Sequence, residues 1–149
     1  MCPQAQINNM KQRVPTILHV EDLESDRILV AVAFQRSGLL VDLHSARNEE
    51  AALEYLQGTG IYADRNGQPL PNLVLLDLKL EHKSGAEVLV WIRKQPKMKK
   101  LPVVILSSSD QPEDRQQTME AGATDYFCKP ASIGPFREMM EEIYTRWLS

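Results

Sequence analysis

Continuous apolar runs alternate with amphipathic stretches along the chain, and this alternation predicts strands and helices in turn. The run LVLL, in a strand predicted at 73–77, and the run VVIL at 103–106 contain no polar residue. Such runs are typical of strands buried on both faces of a parallel sheet. The segments TILHV, LVDLH and TDYFC predict three further strands, at 16–20, 40–44 and 124–128.

Helical spacing of apolar residues fills the gaps between these strands. The last helix shows it most clearly, with apolar side chains at spacings of three and four across Ile133–Trp147. The predicted helices lie at 25–37, at 48–56, around Val88–Ile92, at 111–121 and at the carboxyl end of the chain. Strict alternation of strands and helices predicts an α/β fold in which helices cover both faces of one sheet.

Polar side chains follow four of the five predicted strands at the point where each strand ends. Glu21 and Asp22 follow the first strand, Asp77 the third, Ser107 the fourth and Lys129 the fifth. In an open parallel sheet the ligand crevice lies outside the carboxyl ends of the strands. With the strand order 2-1-3-4-5, Asp22 and Asp77 would face each other across the switch point.

Each of these residues taken singly also fits a helix cap, a turn or a solvated side chain. Together they form a carboxylate cluster with one hydroxyl and one ammonium, which caps alone do not explain. Clustered carboxylates raise one another's pKa, and Mg²⁺ with its preference for oxygen ligands resolves the conflict. Lys129 and Ser107 suit phosphoryl oxygens, and Asp77 suits the role of a nucleophile.

The overall composition is that of an ordinary globular domain and argues against some functions. The chain has 149 residues, which favours one domain, and its net charge of −3 gives no electrostatic basis for binding nucleic acid or an anionic membrane. One basic group is interpreted as a solvated helix end and loop. It consists of Arg93, Lys94, Lys97, Lys99 and Lys100.

Cysteine usage and the lengths of the apolar runs predict a cytoplasmic protein. Cys2 and Cys128 lie far apart without a CxxC motif, which fits a reducing compartment and offers neither a disulfide framework nor a zinc site. No apolar run approaches membrane-spanning length, and no signal-peptide pattern is present at the amino end. Residues 1–13 are polar and aperiodic and are interpreted as a flexible tail, and 14–149 as a single domain.

Four segments, HVEDLESDR, LVLLDLKL, VVILSSSD and TDYFCKP, resemble the receiver domain of two-component response regulators in both order and spacing. The resemblance covers about 15–148, nearly the whole chain. It implies a flavodoxin-like, doubly wound parallel sheet with the strand order 2-1-3-4-5.

The resemblance also implies roles for the clustered side chains. Asp77 would accept a phosphoryl group from a sensor histidine kinase. Asp22 would bind Mg²⁺ directly and Glu21 through water, with the Lys79 carbonyl as a further ligand. Lys129 would hold the new phosphoryl group. The chain would catalyse only its own phosphorylation and dephosphorylation, and so would not be an enzyme in the usual sense.

The remaining implied roles concern switching. Ser107 occupies the hydroxyl switch position and Tyr126 the aromatic one; as Ser107 moves in, Tyr126 would gain room to turn inward. Lys79 and Ser109 occupy positions that tune the lifetime of the phosphoryl group. The peptide bond of Lys129–Pro130 would be cis.

The finer pattern, with a long Gly- and Pro-rich loop at 58–72, is similar to small stand-alone regulators that partner phytochrome-type kinases. Only one helix is predicted after Lys129, so no output domain is expected. The output would be contact with a downstream protein, which the sequence does not name, or onward phosphotransfer.

Two other functions share features with this pattern. A phosphatase of the haloacid-dehalogenase type needs a second Asp two positions after the nucleophile, where this chain has Lys79. A pseudo-receiver that binds partners without phosphorylation stays an alternative, against which the intact set of Asp22, Asp77, Ser107 and Lys129 argues.

A homodimer through the fifth strand and last helix is a separate expectation. Met139, Tyr144 and Leu148 broaden the apolar stripe of the last helix beyond what one core needs. A wide stripe with ragged edges explains the same residues nearly as well.

Overall fold

The computed structural model describes residues 14–60, 70–80 and 83–149. Within these ranges, five parallel strands form one sheet in the order β2-β1-β3-β4-β5. The strands are β1 (Thr16–Val20), β2 (Asp42–Ala46), β3 (Leu73–Leu76), β4 (Val103–Ser107) and β5 (Asp125–Cys128). The predicted fold class and strand order are confirmed.

In the described ranges, four α-helices connect the strands, a fifth follows β5, and together they cover both faces of the sheet. They are α1 (Glu24–Ser37), α2 (Glu49–Gln57), α3 (Ala86–Lys94), α4 (Pro112–Glu120) and α5 (Ile133–Trp147). Helices α1 and α5 pack on one face, where Phe34 and Phe136 join the core. Helices α2 and α3 pack on the other, where Tyr55 and Ile92 are fully or almost fully buried. Successive residues of the central strands supply the two cores alternately, which is why those strands are continuous apolar runs.

The β2 strand lies two residues later than the sequence predicted. Its pairing with β1 runs from Thr16 opposite Asp42 to Val20 opposite Ala46, so the two strands end at the same level. β2 is an edge strand with mostly exposed or half-buried residues, and its hydrophobic pattern therefore fixes the register only weakly.

A second difference is a small hairpin after β3, in which Lys79–Leu80 pairs with Lys83–Ser84. Strands of two residues carry no periodic signal, so the sequence pattern does not indicate them. The predicted tail at 1–13 and most of the loop at 58–72 lie outside the described residues.

Arg93 corrects the interpretation of the basic group as solvated. Its Nε donates to the Gly122 carbonyl at 2.8 Å, and Nη1 donates to the Leu101 carbonyl at 2.8 Å and the Met98 carbonyl at 3.1 Å. Burial lowers the pKa of this guanidinium. Arg93 therefore ties the end of α3 to the segments before β4 and after α4. The four lysines of the group are exposed, as predicted.

None of the peptide bonds in the described ranges is cis, so Lys129–Pro130 is trans, contrary to the expectation. Trans is the lower-energy isomer of an X–Pro bond unless its surroundings select the other. None of the described helices combines the length and apolar character needed to cross a bilayer.

The residues behind the expected dimer are partly used within one chain. Met139 and Leu148 are half-buried and pack against the core between α1 and α5. Their apolar surface therefore has a use in the folded monomer, and the dimer stays a prediction.

Candidate functional site

Three carboxylates meet just beyond the carboxyl ends of β1 and β3. The two strands are neighbours and pair Val20 with Leu76, so the residues that follow emerge side by side. One oxygen each of Glu21, Asp22 and Asp77 lies within 4.8 Å of the others. Glu21 is 0% exposed and Asp77 is 4% exposed. The structure thus brings together the acidic residues that the sequence singled out.

Lys129 reaches these carboxylates from the end of β5. Its Nζ lies 2.7 Å from Glu21 Oε2 and 2.9 Å from Asp77 Oδ2. A third partner, Asp26 Oδ2, lies at 2.7 Å. A lysine ammonium has three hydrogens to donate, and each can therefore be directed at one carboxylate.

Burial and charge act together on these groups. Burial raises the pKa of Glu21 to about 8; Asp77 adds to the rise and Lys129 opposes it. Burial alone would lower the pKa of Lys129, but its hydrogen bonds with Asp26, Glu21 and Asp77 outweigh burial and raise it. Lys129 is therefore charged at neutral pH.

The loop after β1 is fixed by the first turn of α1. Arg27 Nη1 donates to the carbonyl oxygens of Glu21 at 2.8 Å and Asp22 at 2.9 Å. The Leu23 N–H donates to Glu21 Oε1 at 3.2 Å. These contacts hold both acidic residues at the carboxyl end of β1.

Asp26 and Arg27 are functional candidates that the sequence reasoning missed. An acidic residue in the first turn of a helix is common because it complements the helix dipole, so Asp26 did not stand out. The available signal was their position, four and five residues after Asp22, where one helical turn brings side chains back toward the strand end.

The acceptor candidate Asp77 is held on its other side by the loop that follows it. The Lys79 N–H donates to Asp77 Oδ1 at 3.0 Å, and the Gly85 N–H donates to the Leu78 carbonyl at 2.8 Å. A β-carbon on Gly85 would lie 1.9 Å from the Asp77 carbonyl oxygen, so only glycine fits there. The Lys79 side chain is exposed.

Ser107 is fully buried at the end of β4, and its hydroxyl is hydrogen-bonded to the loop that follows this strand. It accepts a hydrogen bond from the Ser109 N–H at 3.2 Å. Among the described residues, no hydrogen bond joins this hydroxyl to Asp77 or Lys129. Ser107 contacts the site through its backbone, since its carbonyl accepts from the Lys129 N–H at 2.7 Å.

Tyr126 is already inward in this structure. It is 6% exposed, and its hydroxyl donates to the Ser109 carbonyl at 2.8 Å. The sequence-based expectation had Tyr126 turning inward only after Ser107 moved toward the phosphoryl group. Here Tyr126 is inward while Ser107 still contacts Ser109, so the inward position does not require that movement.

His19 lies beneath the site within β1 and is 1% exposed. Burial lowers its pKa to about 3, with a further lowering from Lys129. The imidazole is therefore neutral at pH 7.

The donor set of the acidic cluster fits a hard divalent cation. Glu21, Asp22 and Asp77 offer only oxygen atoms, which Mg²⁺ and Mn²⁺ prefer. With Asp26, the site contains four carboxylates and one ammonium, which contacts three of them, and that leaves an excess of negative charge when all are ionised.

Comparison with known proteins matches the chain to one family over most of its length. The model of the response regulator receiver domain matches residues 17–141. Response regulator Rcp1 of Synechocystis sp. is 36% identical over 132 residues, which are 89% of this chain and 88% of Rcp1. The probable methanogenesis regulatory protein FilR2 of Methanothrix harundinacea is 34% identical over 132 residues, 89% of this chain and 83% of that protein.

Solved structures give the same picture. The phosphorylated cyanobacterial phytochrome response regulator RcpA superposes with a TM-score of 0.82 at 33% identity, covering 91% of this chain and 95% of RcpA. The Mn²⁺-bound form of Rcp1 superposes with a TM-score of 0.79 at 35% identity, over the same shares of the two chains. The likeness extends over nearly all of this chain and nearly all of the compared ones.

Proposed function

Since the chain belongs to the response regulator receiver domain family, we propose that it accepts a phosphoryl group on Asp77 from a sensor histidine kinase. One observation carries the proposal. The Asp77 carboxylate lies at the carboxyl end of β3, 2.9 Å from the Lys129 ammonium and within 4.8 Å of the Glu21 and Asp22 carboxylates. A nucleophile and the charges needed to stabilise phosphoryl transfer are thus in one place.

Asp77 is better placed to react than its buried neighbour Glu21. Glu21 has no exposed surface, and its two oxygens are taken by Lys129 and the Leu23 N–H. Asp77 retains some exposure, and its carboxylate is oriented by Lys129 on one oxygen and the Lys79 N–H on the other. Fixed orientation lowers the entropic cost of reaching the phosphorus in line.

The transfer step is a displacement at phosphorus. A carboxylate oxygen of Asp77 forms a P–O bond as the P–N bond of the kinase phosphohistidine breaks, and the leaving imidazole nitrogen takes a proton from solvent. Lys129 then pairs with phosphoryl oxygens as a point charge. Bound Mg²⁺, held by Asp22, Asp77 and the Lys79 carbonyl with Glu21 acting through water, would neutralise charge on the phosphoryl group.

Ser109 links the phosphorylation site to the surface. Its N–H donates to the Ser107 hydroxyl, and its carbonyl accepts from the Tyr126 hydroxyl. If the Ser107 hydroxyl turns to donate to a phosphoryl oxygen, Ser109 loses one of these two contacts. The population of conformers around Tyr126 and α4 would then shift, which is how the signal would leave the site.

We further propose a phytochrome-type kinase as the donor. Rcp1 and RcpA support this, because RcpA is a phytochrome response regulator and both resemble this chain over nearly its full length. Their phosphorylated and Mn²⁺-bound forms also support Asp77 phosphorylation with a divalent cation. The downstream target would be another protein that reads the altered surface.

The test is intact mass after incubation with Mg²⁺ and acetyl phosphate. Wild type should gain one phosphoryl group and Asp77→Asn none. Asp110→Asn is the matched control, because Asp110 is exposed at the same edge of the sheet, after β4. A wild type that gains no phosphoryl group and binds no beryllofluoride with Mg²⁺ would reject the proposal in favour of a pseudo-receiver.

A further inference from the structure

Lys129 has a partner that does not belong to the acidic cluster. Asp26 Oδ2 lies 2.7 Å from Nζ, as close as the Glu21 oxygen. The Asp26 side chain is 21% exposed and the Lys129 side chain 11% exposed, so the pair is largely shielded from water. Asp26 is absent from the group of carboxylates that could hold a cation together.

We propose that Asp26 is a positioning residue that keeps Lys129 in place while its other two partners change during phosphoryl transfer. The inference rests on the proposed function and adds a residue to it. Asp77 changes because its carboxylate becomes an acyl phosphate. Glu21 would change because a cation held at the acidic cluster would compete with the ammonium for its negative charge. Asp26 alone of the three neither accepts the phosphoryl group nor belongs to the cation group.

A fixed partner matters because of the chemistry of lysine. The ammonium sits on a flexible four-carbon stem with large rotamer entropy. Without Asp26, the Lys129 side chain would lose the one of its three carboxylate partners that stays unchanged. The loss would come when the ammonium has to pair with a phosphoryl oxygen. A held ammonium provides preorganised charge, which is the main way a protein stabilises phosphoryl transfer.

The placement of Asp26 explains how one helix can align two distant strand ends. Lys129 follows β5, while the acidic loop follows β1, and β3 and β4 separate these strands in the sheet. Asp26 holds the Lys129 side chain, and the next residue, Arg27, holds the Glu21 and Asp22 carbonyls. The first turn of α1 therefore spans both halves of the site.

A different account of Asp26 is that it only complements the dipole of α1, as acidic residues in a first turn do. Glu24 lies in the same turn and is exposed, so it separates the two accounts. Glu24→Gln removes one charge from that turn without touching Lys129. Asp26→Asn removes one charge and weakens the contact with Nζ at nearly constant volume.

The experiment measures the rate constant of Asp77 phosphorylation at saturating acetyl phosphate and Mg²⁺, a step in which Asp77 gains the phosphoryl group and acetate leaves. Asp26→Asn should lower the rate constant by about tenfold, the order expected for one charge-assisted hydrogen bond, and Glu24→Gln by less than about twofold. In a Lys129→Ala background, Asp26→Asn should cause no further loss, because it acts through the lysine. Asp26→Glu, which keeps the carboxylate, should recover part of the rate.

Thermal unfolding of each variant shows whether the fold is kept. If Asp26→Asn fails to fold, Asp26→Glu replaces it and is compared with Asp26, both with Lys129 present and in the Lys129→Ala background. The inference predicts that any change in the rate constant caused by Asp26→Glu is absent in the Lys129→Ala background. Equal rates for Asp26→Asn and Glu24→Gln, or an equal loss with and without Lys129, would overturn the inference. A wild type that neither gains a phosphoryl group nor binds beryllofluoride would overturn the proposed function, and this inference with it.

Discussion

The position of a β-carbon on Gly85 would be 1.9 Å from the carbonyl oxygen of Asp77. Gly85 has a φ of −61°, which any residue can adopt, so the requirement for glycine comes from close approach and not from backbone conformation. The loop after β3 is thereby packed against the backbone of Asp77, the proposed acceptor, so that a change in this packing should also alter the chemistry at Asp77.

Gly85→Ala should therefore displace the end of β3. We expect a loss of about 1–3 kcal/mol in the free energy of unfolding, as for other overpacked sites, together with slower phosphorylation of Asp77. Chemical denaturation and the acetyl phosphate reaction measure the two effects. Gly134→Ala is the control, because a β-carbon there meets nothing within 4 Å and alanine favours the helix. Equal stability of the two variants would contradict the close approach.

Removal of the Lys129 charge should make the fold depend on a divalent cation. Lys129→Met leaves the carboxylates of Glu21, Asp26 and Asp77 without their ammonium, and breaking such a largely buried pairing costs about 3 kcal/mol. Mg²⁺ should bind this variant more tightly than wild type and restore most of the lost stability. Thermal unfolding across a Mg²⁺ titration measures this, with exposed Lys97→Met as the control. If Mg²⁺ does not change the thermal stability of Lys129→Met, the result would argue against the cation site.

Arg93 should be a structural residue whose loss has no direct effect on the chemistry. Arg93→Ala leaves the carbonyls of Met98, Leu101 and Gly122 without this hydrogen-bond donor, and we expect a loss of roughly 2 kcal/mol in the free energy of unfolding. Lys94→Ala, at the exposed next position, should change it by less than about 0.5 kcal/mol. Urea denaturation compares the two, and matching midpoints would show that the carbonyl contacts contribute little.

The hydroxyl of Tyr126 should couple phosphorylation to the segment around Ser109. Tyr126→Phe removes the hydrogen bond to the Ser109 carbonyl at a cost of about 1 kcal/mol while leaving the Asp77 site intact. Backbone amide shifts in Ser107–Ser109 and α4 on addition of beryllofluoride and Mg²⁺ should become smaller than in wild type. Tyr144→Phe on α5 should leave them unchanged. If the amide shift changes in Tyr126→Phe are as large as in wild type, the hydrogen bond to Ser109 does not transmit the effect of phosphorylation to α4.

Much of this architecture was predictable because the order of strands in a parallel sheet determines which residues of the sequence lie near one another at the strand ends. The runs that form β3 and β4 are apolar throughout because helices cover both faces, and little besides a buried strand fits them. In a parallel sheet all strands end at one edge, so Glu21, Asp77 and Lys129 had to converge once the order was known.

What escaped prediction depends on side-chain contacts that leave no periodic trace. Asp26 and Arg27 fit an ordinary first helical turn, and Arg93 fits a solvated helix end, although each binds a specific partner. The inward Tyr126 ring and the contact of the Ser107 hydroxyl with Ser109 are rotamer choices that the sequence leaves open. The short hairpin after β3 is too brief for any pattern to appear.

The most direct measurement of the central claim is chemical mapping of the phosphorylated residue. Borohydride reduces an aspartyl phosphate to homoserine, and peptide mass spectrometry after phosphorylation by the kinase or acetyl phosphate then locates it. Homoserine is expected at position 77 and aspartate at positions 22 and 26. Homoserine at either of those positions, or phosphoryl transfer that leaves Asp77 unmodified, would contradict it.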